Sequence, residues 1–368
     1  MNVPFPPMGF PAPEIGVARR DFSMPLESGE EIEGYLRNAD DGHEFAYTRI
    51  PKKTVELPNA RGKIIYGQVY QRVNQPEPTY RATQDLVVIK KLSKAALRRD
   101  ALHGENEGRI NSENPQNEIS ASQLLGNNDN VIAMQEALEG HHFLYMIMPY
   151  FGSDLLDALQ DGKTRGQQPN VPRLLRTLVR NLCYLEENGV LHRDLSPENI
   201  IVHSEHSEDC CPLIDLAMAL RCTELEGNIM PIQPQHPCGK LPYMSPEVAR
   251  QDPLDFKIDV WALGVTLFLI WTHQRLYEQP FDRCWRYFLR DGGLENDRLD
   301  LFPQWQTIND VPEDYLPVIE KLKHVQNLTK SQRRLLAEML RLDPNNRIRS
   351  RDILNRGWYQ EPEQQQQL

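Results

Sequence analysis

The sequence predicts an α+β fold, with strands gathered in the first half of the chain and helices in the second. Three observations carry this. Runs rich in β-branched and aromatic residues crowd residues 54–92 and 131–148, which suits strands. The stretch RLLRTLVRNLCYLEENGV, 173–190, repeats its apolar residues at helical spacing. The run VWALGVTLFLIW, 260–271, is apolar on every side, as a helix inside a large core must be. That run is too short for a bilayer, which takes about 20 residues to cross.

The elements follow in order. Residues 1–30 carry prolines at 4, 6, 7, 11, 13 and 25, which predicts a disordered or polyproline II tail. Docking onto a proline-reading domain is the sharper alternative. Residues 31–53 are ambiguous, and EIEGYL could open a short helix. Residues 1–53 are thus expected to form an N-terminal extension. Strands are expected near 54–61, 65–73 and 85–92. A long polar stretch at 93–114 reads as an inserted loop. A helix near 115–125 and strands near 131–137 and 142–148 complete the first part. The second part starts near Ser153, and the tail 361–368, EPEQQQQL, is low in complexity and solvated. No internal repeat is found.

Composition narrows the classes. The chain has 368 residues, a net charge of −11 and 40% hydrophobic residues, enough for a substantial core. The acidic balance argues against wholesale nucleic-acid binding and favours basic partners. Cysteines 183, 210, 211, 222, 238 and 284 lack a disulfide framework, so free thiols in a reducing compartment are expected. Met1 is not followed by a basic segment and an apolar core, nor by the glycine of a myristoylation signal. A cytoplasmic location without membrane attachment is expected, and a nuclear one is also compatible.

The chemistry is concentrated in HRDLSPEN, 192–199, and in PLIDLA, where Asp215 closes an apolar run. Phosphoryl transfer needs a carboxylate to take the nucleophile's proton and oxygen ligands that hold magnesium on the phosphates. Asp194 suits the first task, and Asn199 and Asp215 the second. The bland alternative is a turn rich in capping residues with a strand-end aspartate. Further motifs stand around these: DLVVIKKL at 85–92, MSPEV at 244–248, DVWALGV at 259–265 and RLDPNNRIRSRDIL at 341–354. In this order the chain resembles the eukaryotic-type protein kinase catalytic domain, of serine/threonine type. With GWY at 357–359 it looks nearest to the calcium/calmodulin-dependent group.

The resemblance implies a bilobal kinase-like fold over 54–360. Its parts are a small β-rich lobe at 54–148, a hinge at 149–152 and a large helical lobe at 153–360. It implies ATP and magnesium as cofactors and protein hydroxyls as acceptors. Lys90 would grip the α- and β-phosphates, aimed by Glu118, with Glu113 as the runner-up. In GKIIYGQV, 62–69, Gly62, Gly67 and Val69 match the phosphate cover, while Ile64 replaces its middle glycine. Met148 falls at the gatekeeper position, and adenine would meet the Pro149 carbonyl and the Phe151 N–H. Val69, Val88 and Ile201 would sandwich the base, and Asp154 would meet the ribose. Glu198 and Asp154 would favour one basic residue upstream of the acceptor. Nothing in the sequence names an oligomeric state.

Departures matter as much. Ser196 stands where the family carries a lysine two residues past the catalytic aspartate. Lys240, in CGKLPYMSPE, stands where it carries a threonine. A hydroxyl and an ammonium look exchanged, so Lys240 is expected to supply charge beside Asp194; a solvent-facing lysine is the alternative. Asp215-Leu216-Ala217 replaces D-F-G. No well-placed phosphoacceptor lies between Asp215 and Glu247, where Thr223, Tyr243 and Ser245 hold the hydroxyls; activation would then be constitutive or use Glu224 or Glu226 as a fixed charge. Two other classes compete: a pseudokinase scaffold, favoured by Ile64, Ser196 and Ala217, and a small-molecule phosphotransferase. A zinc pair of Cys210 and Cys211 with His203 or His206, or a redox-sensitive Cys222 and Cys238, are further alternatives.

Overall fold

The computed structural model describes residues 9–25, 31–40, 44–57, 61–73, 79–99, 114–126, 128–165, 170–202, 210–225, 228–233, 238–276, 325, 328–341 and 343–356. It divides into two compact units. One comprises Pro11–Asn128 and Ile132–Phe151; the other comprises Met1–Phe10, Asp129–Val131 and Gly152–Leu368.

The first unit is a closed barrel of seven strands: β1 (Gly16–Pro25), β2 (Glu31–Asn38), β3 (Phe45–Glu56), β4 (Gly62–Arg72), β5 (Tyr80–Ser93), β6 (Glu136–Glu139) and β7 (Phe143–Pro149). Their order around the barrel is β1-β2-β3-β4-β5-β7-β6. A parallel pairing of Gly16 with Leu138 and Val17 with Glu139 closes it; the other pairings are antiparallel. Leu36, Tyr47, Val69, Val87, Ile89, Leu138 and Ile147 fill its core. One helix, α1 (Pro115–Leu125), packs on the other face of β5 and β7, where Ile119 meets Leu92, Leu144 and Met146.

Two expectations change here. Gly16–Pro25 is a strand, not a disordered tail, and EIEGYL lies in strand β2, not in a short helix. Prolines 11 and 13 precede β1 and Pro25 ends it, so the interior of the strand keeps its ladder N–H groups. In β2 the buried Tyr35 and Leu36 enter two different clusters, one on each face of the strand. β3 likewise starts at Phe45, well before the expected 54.

In the second unit, α2 (Leu155–Arg165) and α3 (Val171–Glu187) lead to the loop bearing Asp194. Asn170 caps α3 by accepting the Arg173 N–H at 3.2 Å. The short α4 (Pro246–Arg250) precedes α5 (Lys257–Thr272), and α6 (Lys330–Met339) and α7 (Ser350–Asn355) follow. α5 is the apolar run of the sequence, buried from Ile258 through Phe268. At Gly264 a Cβ would press Leu340 and Met339 at 3.0 and 3.1 Å, so the bare backbone lets α6 approach. The MSPEV and RLDPNNR motifs meet in a buried ion pair. Arg347 Nη2 donates to Glu247 Oε2 at 2.9 Å and Nη1 to Oε1 at 2.5 Å. The same guanidinium donates to the Lys257 carbonyl at 2.9 Å and lies 5.0 Å from the Trp261 ring centroid. Among the described residues, no helix is long and apolar enough to cross a membrane.

Candidate active site

The loop carrying Asp194 is held from below by α5. Asp259, fully buried, accepts the His192 N–H at 2.8 Å and the Arg193 N–H at 3.0 Å. Arg193 sits at φ 68°, a conformation side chains resist, and these two bonds help hold it there. His192 Nε2 donates to the Ile214 carbonyl at 2.9 Å, which leaves Nδ1 to accept from the Asp194 N–H at 3.3 Å. Ile214 in turn donates its N–H to the Asn199 carbonyl at 3.0 Å. The Asp194 loop and the Asp215 segment are therefore cross-linked by backbone bonds. Sequence reading placed Asp259 in a helix but missed this task; its signal was a charged residue opening an otherwise apolar run.

Asn199 Nδ2 donates to the Asp194 carbonyl at 2.7 Å and to Asp194 Oδ2 at 3.0 Å. Both amide protons serve Asp194, so the amide oxygen is the group left for a ligand. Asp215 stands one residue past Ile214 at φ 65°, ψ 71°, ahead of the buried Leu216 and Ala217. Two hard oxygen donors, one of them anionic, fit magnesium better than a soft metal. Burial pushes the Asp194 carboxyl upward, and the Lys240 ammonium opposes that rise.

Lys240 lies beside both Asp194 and Ser196. Its backbone N–H donates to Asp194 Oδ1 at 2.8 Å, and its Nζ donates to Ser196 Oγ at 2.7 Å. Nζ also approaches Glu198 Oε2 at 3.6 Å. Ser196 is fully buried while the Lys240 side chain is 37% exposed, so the ammonium sits at the mouth of the loop. Gly239 makes this possible: at φ 96° its missing Cβ would lie 2.4 Å from the Arg193 carbonyl oxygen. A cavity of about 280 Å³ opens beside Lys240, walled by Leu156, Val265, Leu269 and Leu276, with Glu198 and Arg275 among its polar lining.

In the barrel unit, Lys90 Nζ meets Glu118 Oε2 at 2.8 Å, with side chains 15% and 6% exposed. Ser122, four residues past Glu118 on the same helix, is buried and accepts the Met134 N–H at 2.5 Å. A hydroxyl with a dedicated donor does there what an aliphatic group does elsewhere. The runner-up Glu113 lies outside the described residues.

Alternation along the strands sorts the remaining nucleotide residues. Lys90 pairs with Ile64, and Val88 with Tyr66 and Met148. These share one face of the sheet, the face that α1 covers in part. Val69 points the other way and is buried with Val87 and Ile89 in the barrel core. It is a core residue and not a neighbour of Lys90. Gly62 and Gly67 likewise lie in the β4 ladder: a Cβ on Gly62 would strike the Lys91 carbonyl at 1.9 Å, and one on Gly67 would meet the Thr48 carbonyl at 2.9 Å. Both are glycines for close strand packing. Ile64, opposite Lys90 in the β4–β5 ladder, occupies the position on Lys90's face that was assigned to Val69.

Pro149 ends β7 opposite Val87, and Phe151 closes that unit. In the other unit Asp154 pairs with Ile201 across a two-stranded ladder. Asp154 Oδ1 accepts the Asp157 N–H at 2.9 Å, capping α2, and burial raises its pKa. Ser245 is buried, and burial pushes the half-buried Tyr243 hydroxyl up to about 12, so neither is a ready phosphoacceptor. Thiols 183, 210, 211, 222 and 238 are free, and burial raises Cys238 to about 11. Among the described residues no three His, Cys, Asp or Glu side chains gather around a metal site. His203, His206, Glu226, Cys284 and the 357–359 stretch lie outside those residues.

A model of the protein kinase domain matches residues 62–359. The chain belongs to the protein kinase family. The chain is 24% identical over 355 residues to "Serine/threonine-protein kinase GG21441" of Drosophila erecta, covering 95% of this chain and 42% of that one. It is 26% identical over 206 residues to "Calcium/calmodulin-dependent protein kinase type 1" of Caenorhabditis briggsae, covering 55% and 54%. It is 25% identical over 258 residues to "Ribosomal protein S6 kinase alpha-6" of Mus musculus, covering 69% and 30%. The chain thus spans about half or less of the length of these relatives.

Proposed function

We propose that this kinase domain transfers the γ-phosphoryl group of ATP to serine or threonine hydroxyls of protein substrates, in the cytoplasm. The observation that carries the reading is the Asp194 carboxylate, held at once by the Asn199 amide and by the Lys240 backbone N–H, while the Asp194 backbone N–H donates to the His192 ring. Asp194 takes the proton of the attacking hydroxyl as its oxygen bonds to the γ-phosphorus. The bond from that phosphorus to the β-bridging oxygen breaks, and ADP leaves. Lys90, aimed by Glu118, binds the α- and β-phosphates. Asn199 and Asp215 would hold magnesium, which when bound offsets the charge of the phosphate oxygens. The Lys240 ammonium supplies a further positive charge where the family's usual lysine is replaced by Ser196.

Protein acceptors fit the apolar-walled cavity beside Lys240. The basic residue expected upstream of the acceptor has weaker support than the sequence suggested. Glu198 already faces Lys240 at 3.6 Å, and Asp154 is engaged as a helix cap. A mild preference for one basic residue is the reading retained. The test is incubation of the full chain with labelled ATP, magnesium and a generic protein substrate, followed by phosphoamino-acid analysis. Label on serine or threonine supports the reading. Label on tyrosine alone overturns the acceptor class, and nucleotide binding without any transfer favours the pseudokinase scaffold.

A further inference from the structure

The segment before β1 does something that neither the catalytic loop nor the strand ladder requires. Glu14 and Gln123 are joined by two hydrogen bonds: the Glu14 N–H donates to Gln123 Oε1 at 2.9 Å, and Gln123 Nε2 donates to the Glu14 carbonyl at 2.8 Å. Gln123 lies on α1, five residues past Glu118. The next residue, Ile15, packs into the cluster of Ile119, Leu92, Met134, Leu144 and Met146 that seats α1 on the sheet. Gly16 then enters the barrel, paired with Leu138. A Cβ there would stand 2.4 Å from Asn38 Nδ2, and Asn38 in turn donates to Glu136 Oε1 at 3.0 Å. The segment is thus anchored at the barrel seam and reaches from there onto the helix that carries Glu118.

We propose that Glu14 and Ile15 form an intramolecular clamp on α1 that positions Glu118 against Lys90. The clamp acts with Ser122, which ties the helix to the Met134 backbone. A glutamine side chain that pairs with both the N–H and the carbonyl of one residue fixes direction as well as distance, although exposed bonds of this kind add little stability alone. Ile15 contributes the apolar part of the contact. The helix is short, 11 residues, and is buried on more than one side, with the polar Ser120 and Ser122 among its buried residues. Such a helix depends on what covers it for its position. The residues from 14 onward therefore belong to the working catalytic unit, and Gln123, Glu14 and Ile15 are positioning residues acting through Glu118.

This inference rests on the kinase reading for its activity arm and on geometry alone for its exchange arm. The experiment uses the full chain with Ile15→Ala, Gln123→Ala and their combination, each also placed in a Glu118→Gln background. Amide hydrogen exchange across 115–125 is the first readout. It should accelerate in the Ile15 and Gln123 variants, while β5 and β7 exchange as in the parent. Unchanged exchange in α1 overturns the clamp. The second readout is phosphotransfer. The combined variant should lose roughly tenfold in kcat, and that loss should largely vanish once Glu118 is already Gln. A merely structural contact would give the same loss in both backgrounds, which would overturn the positioning role. If the parent chain transfers no phosphate, the proposed function fails, and the exchange readout still decides the clamp.

Discussion

Replacing Lys240 by threonine tests the least family-like feature of the site. The change removes an ammonium whose Nζ lies 2.7 Å from Ser196 Oγ and leaves intact the backbone N–H that holds Asp194 at 2.8 Å. A preorganised donor aimed at developing charge in a dry site contributes about 2.7–4 kcal/mol to the transition state. The Lys240 side chain is 37% exposed, and solvent screening puts it at the lower end. At about 2.7 kcal/mol, kcat should fall roughly 100-fold while the KM for ATP changes little. A pH signature should accompany the fall. Burial raises the Asp194 pKa and the Lys240 charge lowers it, so losing the ammonium should move the acid limb of kcat to higher pH. Steady-state phosphotransfer from pH 5.5 to 9 measures both effects. Ser196→Lys alone should be neutral or harmful, because two ammonium groups would crowd Asp194. Ser196→Lys with Lys240→Thr should recover part of the rate, giving strong non-additivity. An active Lys240→Thr enzyme with an unmoved acid limb would show that the lysine only faces solvent.

Three further outcomes follow. Arg347→Met should destabilise the chain by about 3–5 kcal/mol in urea unfolding, because it strands the buried Glu247 carboxylate; a loss below 1 kcal/mol would mean that water reaches the pair. Cys238 should resist iodoacetamide in the native protein at pH 7.5, since burial shields its thiol and pushes its pKa up to about 11; rapid labelling would revive the redox reading of the activation segment. A peptide library should show at most a mild preference for one upstream basic residue, because Lys240 already faces Glu198; a strong preference for acidic or proline-flanked sites would refute the assignment.

The catalytic loop was legible because its chemistry fixes both residue type and spacing: Asp194 and Asn199 hydrogen-bond, and Asp215 follows Ile214, whose backbone binds Asn199 and His192. The Lys90–Glu118 pair was legible for the same reason, since lysine on the strand and glutamate on the helix meet at 2.8 Å. The phosphate cover was misread. Glycines in GKIIYGQV looked like a loop signature, yet Gly62 and Gly67 answer to carbonyls of neighbouring strands, and Val69 falls on the barrel side of the pleat. Glycine content reports close backbone approach without saying what approaches. The strands at 16–38 were hidden by prolines that flank β1 and do not interrupt it, and by a closure that pairs Gly16 with a residue as distant as Leu138. No local pattern encodes such a long-range pairing.

The most direct test of the whole account is transfer of labelled γ-phosphate from ATP to a protein substrate by the parent chain and by Asp194→Asn. The account predicts magnesium-dependent transfer by the parent and a loss of at least about 100-fold in the variant, the scale of an absent general base, with nucleotide still bound. Equal rates in the two proteins would contradict the role given to Asp194 and, with it, the reading of the site.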